Sequence, residues 1–416
     1  MLRFEFIDRP TGTCRALFFS LACLLAAGSW AAPAAKQETR PARAATPPAG
    51  TPDPEVLLIE VYKELGANNL RAAQEKADRL VEAYPNFRLG HLVRGDLLLM
   101  HTRPVKQLGA VDGPEDKLKN LRAEAMVRLR FLRERPDPAL VPRVVLQLRD
   151  DQKHVLLVDA RRSRLFVYAN ERGQLKFVTD YYVSQGKLGI NKLREGDQKT
   201  PVGVYYITSH LPGARLPEFY GSGALPINYP NEWDKLNGRG GSGIWLHGTP
   251  PDSYSRPPLS SDGCVVLTNP DLHRLTESVE VGKTPVVISE SIDFVSKARW
   301  ESDRGLAARL VDNWRRDVES LVPSRVLANY SRQFKSERGE DLKTWFSKPQ
   351  QSFRNVKQLK VSLRDNTHFF YPGRDDLIVS TFTQESTVGK NTSSIRKRQY
   401  WAKESGQWKI IYELTL

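Results

Sequence analysis

Cys264 and His247 are the two side chains whose types and spacing could together perform covalent chemistry. They lie in the stretch "IWLHGTPPDSYSRPPLSSDGCVVLTNP", which covers residues 244–270. An ordinary thiol has a pKa of about 8.5, so only a small part of it is nucleophilic thiolate at neutral pH. A nearby imidazolium stabilises the thiolate and can then return a proton to a leaving amine. The sequence therefore predicts Cys264 as a nucleophile and His247 as its general base.

The residue before the thiol favours a tight turn at this nucleophile. Gly263 directly precedes Cys264, so the amides of these two residues could bind the oxygen of the attacked carbonyl as an oxyanion hole. The alternative is that Cys264 is a small buried side chain in "CVVL" and that His247 is an unrelated core ring. A metal site is a weaker alternative, because no CxxC or HxxxH spacing exists to complete a zinc site. We predict no metal and no organic cofactor.

A β-rich region must position these two residues. From residue 154 onwards, runs rich in Val, Leu, Phe and Tyr alternate with short turns, and strand patterns continue through "KTPVGVYYITS", "GIWLHG" and "TPVVIS". We assign residues 150–290 to one mostly-β domain. In it, His247 ends one strand and Cys264 begins another, and the Pro-rich loop 249–259 joins them.

Two further folded regions flank the β-rich domain. Residues 55–140 have apolar residues at helical spacing, with Pro85 separating two helices, and resemble a single tetratricopeptide-type hairpin. Residues 300–416 begin with helical patterns and end with strand candidates, the last being "QWKIIYEL", which predicts an α+β domain with its sheet curled over a helix. The predicted fold class is therefore multidomain α+β.

The N-terminus predicts export. Residues 1–31 contain arginines before a short apolar run, "ALFFSLACLLAAG", and small residues follow it, as is typical of a secretory signal peptide. Residues 32–54 are rich in Ala and Pro and predict an extended linker. We expect a periplasmic protein from which Cys14 and Cys23 have been removed, so that Cys264 is alone and forms no intramolecular disulfide.

Length and charge set further bounds. A chain of 416 residues should form two or three domains. Its net charge of +14 favours an anionic partner, such as an acidic polymer, a membrane surface or a nucleic acid. Export makes nucleic acid the poorest of these, and we predict no nucleic-acid partner. The basic residues are spread along the chain, so a solvated basic surface is the favoured explanation of the charge.

Four segments resemble, in the same order, the catalytic domain of the L,D-transpeptidases, the YkuD-type fold. Between residues 153 and 290 they are "DARRSRLFVY", "YYVSQGKLG", "GDQKTPVGVYYI", and "HGT" followed by "SSDGCVVL". The resemblance implies that Cys264 attacks the carbonyl between the diamino acid and D-alanine of a peptidoglycan stem peptide. It also implies that His247 is the base and that the backbone of Gly248 orients it. An amine of a second stem, a lipoprotein lysine or water would then resolve the thioester.

The family resemblance extends to the surroundings of the nucleophile. It implies a lid over the site, which residues 211–242 would form. The predicted substrate-binding residues are Ser261, Asp262, Tyr220, Tyr229 and Trp233. The aromatic residues among them are equally plausible as packing of the loop.

Two positions depart from the family pattern. Asp262 stands where the family often has histidine or arginine, and Val266 stands where arginine or asparagine is common. The sequence therefore predicts that a cationic contact to a substrate carboxylate is missing here. The segment "SDGCVVLTNPDL" resembles a subgroup that includes hydrolases and amidases of the lipoprotein–peptidoglycan link.

These observations together predict an exported L,D-transpeptidase that acts on peptidoglycan stem peptides, by cross-linking or by lipoprotein attachment, in cell-wall biogenesis and cell shape. Residues 300–416 resemble a nuclear-transport-factor-2-like domain, for which we expect binding or dimerisation. A hydrolase or amidase of the same fold is the first alternative. A catalytically idle wall-binding protein is the alternative from another class, and a cysteine protease acting on proteins is a third.

Overall fold

The structure of the protein is a computed structural model that describes residues 52–353 and 356–416. The predicted signal peptide lies outside these residues, as does most of the predicted linker. Within the described ranges, no helix has the length and apolar character that a membrane crossing needs.

Helices form the first folded region of the chain, and more helices follow among the strands. The helices are α1 (Pro54–Gly66), α2 (Leu70–Ala83), α3 (Arg88–Met100), α4 (Glu115–Arg133), α5 (Glu232–Leu236), α6 (Asn269–Glu277), α7 (Lys297–Glu319), α8 (Pro323–Ala328) and α9 (Leu342–Phe353). The side chains of Asp53 and Asn69 cap α1 and α2, because they accept hydrogen bonds from free amides of the first turn. Pro85 lies between α2 and α3, where the sequence predicts a break. The apolar faces of α1 to α4 pack into one core.

The strands fall into a central and a C-terminal group. In chain order they are β1 (Val141–Pro142), β2 (Val145–Gln147), β3 (His154–Asp159), β4 (Arg164–Glu171), β5 (Gln174–Tyr182), β6 (Gln185–Gly186), β7 (Gly203–Tyr206), β8 (Leu211–Pro212), β9 (Gly223–Pro226), β10 (Trp245–His247), β11 (Leu259–Ser261), β12 (Val265–Val266), β13 (Pro285–Ser289), β14 (Phe294–Val295), β15 (Tyr330–Ser336), β16 (Lys360–Phe370), β17 (Leu377–Val388), β18 (Asn391–Glu404) and β19 (Gln407–Thr415).

Two sheets build the central region. One has the order β5-β4-β3-β13-β7, and the other has the order β12-β10-β9-β8. Alternate residues of a strand point to opposite faces, so a strand that is apolar throughout can fill two cores. Leu156 and Val158 of β3 pack into the core that the two sheets share, whereas Val155 and Leu157 pack into a second core on the other face. The smaller sheet is therefore held firmly, and it carries the predicted nucleophile and base.

The C-terminal sheet has the order β15-β19-β18-β17-β16-β2, and α7 packs against it. Trp314 of α7 and Trp401 of β18 are both buried in this core. Strand β2 precedes the central domain in the chain but pairs with β16, a contact that the sequence analysis did not predict. The indole nitrogen of Trp300 donates a hydrogen bond to the carbonyl of Val145 at 2.6 Å and so ties β2 to α7. The predicted multidomain α+β class is confirmed.

Candidate active site

Strands β10 and β12 bring His247 and Cys264 to the same face of the smaller sheet. The strands are parallel, with Leu246 opposite Val265 and His247 opposite Val266. Leu246 and Val265 are fully buried in the core, so the residues that alternate with them point to the other face. Cys264 directly precedes β12, so the same register places it opposite Trp245 and diagonal to His247 on that second face. The predicted proximity of thiol and imidazole is consistent with this register.

His247 is held as a neutral base with one free nitrogen. Its Nδ1 lies 2.7 Å from the carbonyl oxygen of Gly248, and a carbonyl can only accept, so Nδ1 carries the hydrogen. Nε2 is then a lone-pair acceptor, and it is buried with no hydrogen-bond partner among the described residues. Burial lowers the pKa of His247 to about 4, so the ring is neutral at pH 7. The ring is thus oriented and uncharged, as a general base requires.

The surroundings of the Cys264 thiol favour its protonated form. Burial raises its pKa, and the backbone amide of Trp245 and the charge of Arg256 oppose that effect only in part. Its Sγ donates a hydrogen bond to the carbonyl of Gly243 at 3.4 Å, and the residue is partly exposed. The sequence analysis predicted an ion pair between thiolate and imidazolium. Burial instead favours a neutral thiol and a neutral base, because it disfavours the charged form of both groups.

Hydrogen bonds fix the turn that presents the thiol. The Ser261 hydroxyl donates a hydrogen bond to the carbonyl of Cys264 at 2.6 Å and accepts one from the amide of Gly263 at 3.1 Å. The Thr200 hydroxyl, from the "KTPVG" segment, donates to the carbonyl of Gly263 at 2.9 Å. Gly263 has φ of +131°, and an added Cβ would lie 2.8 Å from the carbonyl oxygen of Lys199. The turn needs a glycine, but its amide is already bound to Ser261, so the predicted use of that amide in an oxyanion hole does not fit this geometry.

Asn269 secures the backbone around Gly248. Its Oδ1 accepts hydrogen bonds from the amides of Ser222 and Thr249. Its Nδ2 donates a hydrogen bond to the carbonyl of Thr249 at 2.8 Å. A Cβ on Gly248 would lie 2.1 Å from this Oδ1, so the close approach excludes any side chain there. Sequence reasoning missed Asn269, because the amides that it binds belong to segments distant in the chain.

The carboxylate of Asp262 is bound by residues other than the histidine. Its carboxylate pairs with Lys187 at 2.9 Å and accepts a hydrogen bond from Gln198 at 3.0 Å. The hydrogen bond from Lys187 is the largest cause that lowers the pKa of Asp262. The structure therefore places Asp262 on the exposed rim, where it binds a lysine and a glutamine and does not orient the base.

The predicted aromatic contacts separate into two groups. Tyr220 lies over His247, with ring centroids 5.0 Å apart, and its neighbour Phe219 lies 5.5 Å from the same ring. Tyr229 is buried and donates its hydroxyl hydrogen to the carbonyl of Gly240 at 2.8 Å. Only the first two therefore border the histidine.

Trp233 belongs to a different environment. Its ring stacks on Tyr400 of β18 at 4.5 Å, and it packs in a cluster with residues of the C-terminal sheet. A substrate role for Trp233 is not supported by this position, because the ring is buried between two domains. Residues 211–242 also do not form one separate lid, since β8 and β9 within them belong to the sheet that carries His247.

The loop between β10 and β11 is held by the N-terminal helices. Tyr254 inserts into the helical core, where its ring lies 5.3 Å from Tyr84 and 5.2 Å from Phe87. The hydroxyl of Ser255 donates to the buried carboxylate of Glu124 at 2.7 Å. The helical region thus fixes the segment that links base and nucleophile, which the sequence analysis did not predict.

Comparison with known proteins agrees with this geometry. The family model of the L,D-transpeptidase catalytic domain, YkuD, matches residues 153–288. The structure of Bd1075 from Bdellovibrio bacteriovorus has 30% sequence identity and a TM-score of 0.59, and the match covers 66% of this chain and 98% of that one. The chain belongs to the L,D-transpeptidase family. A second family model, the C-terminal NTF2-like domain of Cds6, matches residues 307–414, so the predicted resemblance of this region is confirmed.

A second solved relative supports the assignment. A point mutant of Pgp2 from Campylobacter jejuni, described as a helical cell shape determining protein, has 25% identity and a TM-score of 0.56. That match covers 65% of this chain and 93% of that one. A search of curated proteins finds no match.

Proposed function

We propose that this member of the L,D-transpeptidase family is an exported cysteine acyltransferase that acts on peptidoglycan stem peptides through a thioester on Cys264. The observation that carries the proposal is the state of His247. Its Nδ1 hydrogen is bound to Gly248, and its Nε2 is free on the sheet face that Cys264 shares. A merely structural histidine would normally have both nitrogens satisfied when it is buried this completely.

The chemistry follows from this arrangement. As the sulfur attacks the carbonyl carbon, the thiol proton passes to Nε2 of His247, and the imidazolium is stabilised by the carbonyl of Gly248. The C–N bond then breaks, and the same proton moves to the leaving amine. An acceptor attacks the thioester and releases the free thiol. An amine acceptor gives a cross-link or a lipoprotein attachment, and water gives a shortened stem.

The wall as the site of action is supported by four features. The family to which the chain belongs is defined by L,D-transpeptidase catalytic domains. The relative from Campylobacter jejuni is described as determining helical cell shape. The net charge of +14 favours an anionic polymer such as the wall, and the leader-like residues 1–31 favour export to the same compartment.

The test is product analysis on defined substrates. The protein is incubated with purified stem tetrapeptides, with and without a second stem or a lipoprotein, and the products are identified by mass spectrometry. We expect cleavage before D-alanine and a covalent adduct on Cys264, and we expect Cys264→Ala and His247→Ala each to abolish both. Wall binding, measured by sedimentation with sacculi, should persist in both variants. Binding to sacculi without any turnover by the unaltered protein would instead establish the idle wall-binding protein.

A further inference from the structure

Arg256 is a charged residue in the catalytic loop that the proposed reaction does not yet use. Its carbonyl accepts hydrogen bonds from the hydroxyls of Tyr182 at 2.9 Å and Ser184 at 2.8 Å, which hold the backbone in place. Its Nη2 donates to the carbonyl of Ser260 at 2.6 Å, and its guanidinium carbon lies 5.2 Å from the ring centre of Phe219. The guanidinium is therefore held rigidly next to the aromatic residues that cover His247.

One nitrogen of the Arg256 guanidinium lacks a hydrogen-bond partner among the described residues. Nη1 of Arg256 is buried and has no hydrogen-bond partner in the described part of the chain. The nearby carboxylate of Asp262 is already bound by Lys187 and Gln198. A buried donor of a charged group without a partner is unfavourable, so the site is prepared for an anion that the protein itself does not supply.

The charge of Arg256 influences both the proposed nucleophile and the proposed base. Burial is the largest influence on the pKa of both His247 and Cys264, and the charge of Arg256 lowers each of them. Phe219 contacts both the guanidinium of Arg256 and the ring of His247, so an anion that Arg256 binds would lie near the base.

We propose that Arg256 binds the α-carboxylate of the amino acid that leaves, and so restricts the enzyme to peptides whose scissile amide is the last one in the chain. The inference rests on the proposed function. In such a peptide the carboxylate is separated from the scissile nitrogen by a single Cα atom, so it lies close to the sulfur and to the base. A planar guanidinium recognises a carboxylate through paired hydrogen bonds.

The experiment compares two substrates that differ only in this carboxylate. One is a stem tetrapeptide ending in D-alanine, and the other is the same peptide with a C-terminal carboxamide. Both are assayed with the unaltered protein, Arg256→Gln, Arg256→Lys and a control, Arg88→Gln. Arg88 is an exposed cation that pairs with Asp252 of the same loop at 3.4 Å, and it lies outside the site.

We expect the unaltered protein and Arg88→Gln to prefer the acid over the amide by at least about 30-fold in kcat/KM, since loss of one partner of a buried charge pair has effects of this size. In Arg256→Gln, kcat/KM for the acid should fall to the value for the amide, while kcat/KM for the amide stays unchanged. Arg256→Lys should keep part of the preference for the acid. Thermal unfolding of each variant reports on folding. Dissociation constants in a Cys264→Ala background, where chemistry is blocked, should show the same pattern and do not depend on turnover.

Three results would overturn the inference. If the unaltered protein cleaves acid and amide equally well, the carboxylate is not recognised. If Arg256→Gln slows both substrates to the same extent, the arginine serves the thiol or the base instead. If the unaltered protein cleaves neither substrate and forms no adduct, the proposed function fails, and this inference fails with it.

Discussion

The ionisation state of Cys264 gives a sharp test of the site. Burial raises the pKa of the thiol above its ordinary value of about 8.5 to 9.0, whereas a thiolate–imidazolium pair would lower the pKa far below that value. At pH 7 a thiol with a pKa of 9.0 is about 1% ionised, so Cys264 should be ionised to a smaller extent still. A preformed ion pair would be almost fully ionised at this pH. The two states therefore differ by about 100-fold in the rate of alkylation at pH 7, because only the thiolate reacts.

The assay is the rate of iodoacetamide alkylation between pH 5 and pH 10, measured by mass spectrometry on the peptide that contains Cys264. Quantification of this one peptide keeps Cys14 and Cys23 out of the measurement. We expect a slow reaction below pH 8 and a steep rise above pH 9, and we expect His247→Ala to change the profile little. A plateau of fast alkylation from pH 5 to pH 8 that disappears in His247→Ala would refute the neutral pair.

Three other perturbations have definite expected outcomes. Gly248→Ala would place a methyl group 2.1 Å from Oδ1 of Asn269, so we expect turnover to fall by at least about 100-fold as the histidine loses its orientation, which steady-state kinetics would show. Trp233→Ala removes a buried ring that stacks on Tyr400; urea unfolding should show a loss of about 3 to 5 kcal/mol, while KM for a short stem peptide stays unchanged. Because the folded pKa of His247 is about 4 and its ordinary value is 6.5, the unfolded chain binds more protons between these values, so stability should rise by roughly 3 kcal/mol from pH 4 to pH 6.5. Urea unfolding across this pH range measures that rise, and His247→Gln should remove only the part that comes from His247, because burial also lowers the pKa of His368 to about 4.

Local sequence was sufficient to predict the strands and the turn that carry the candidate site. The β-branched and aromatic runs around His247 and Cys264 predict strands, and the strands form as β10 and β12. The glycine before the thiol predicts a turn that only glycine can adopt, and the structure shows such a turn. These features follow from short stretches, because strand propensity and turn geometry depend on neighbours in the chain.

Features that depend on distant segments could not be predicted in this way. Strand β2 joins the C-terminal sheet across the whole central domain, and Trp233 stacks on a strand of another domain. Tyr254 reads as a loop residue, yet it is buried among helices that precede it by more than a hundred residues in the sequence. In each case the partner is chosen by packing, which a linear pattern does not encode.

The sequence by itself determined the family resemblance and the fold class and predicted the candidate nucleophile and base, since motif spacing and periodicity carry that information. Tertiary structure alone decided the protonation of the pair and the placement of Arg256. Protonation depends on how completely folding removes water from the two groups, and Arg256 reaches the site only because the helices and the aromatic residues around it fix its loop. The charge of a site is therefore a property of the folded protein, even where the chemistry of its residues can be read directly from the chain.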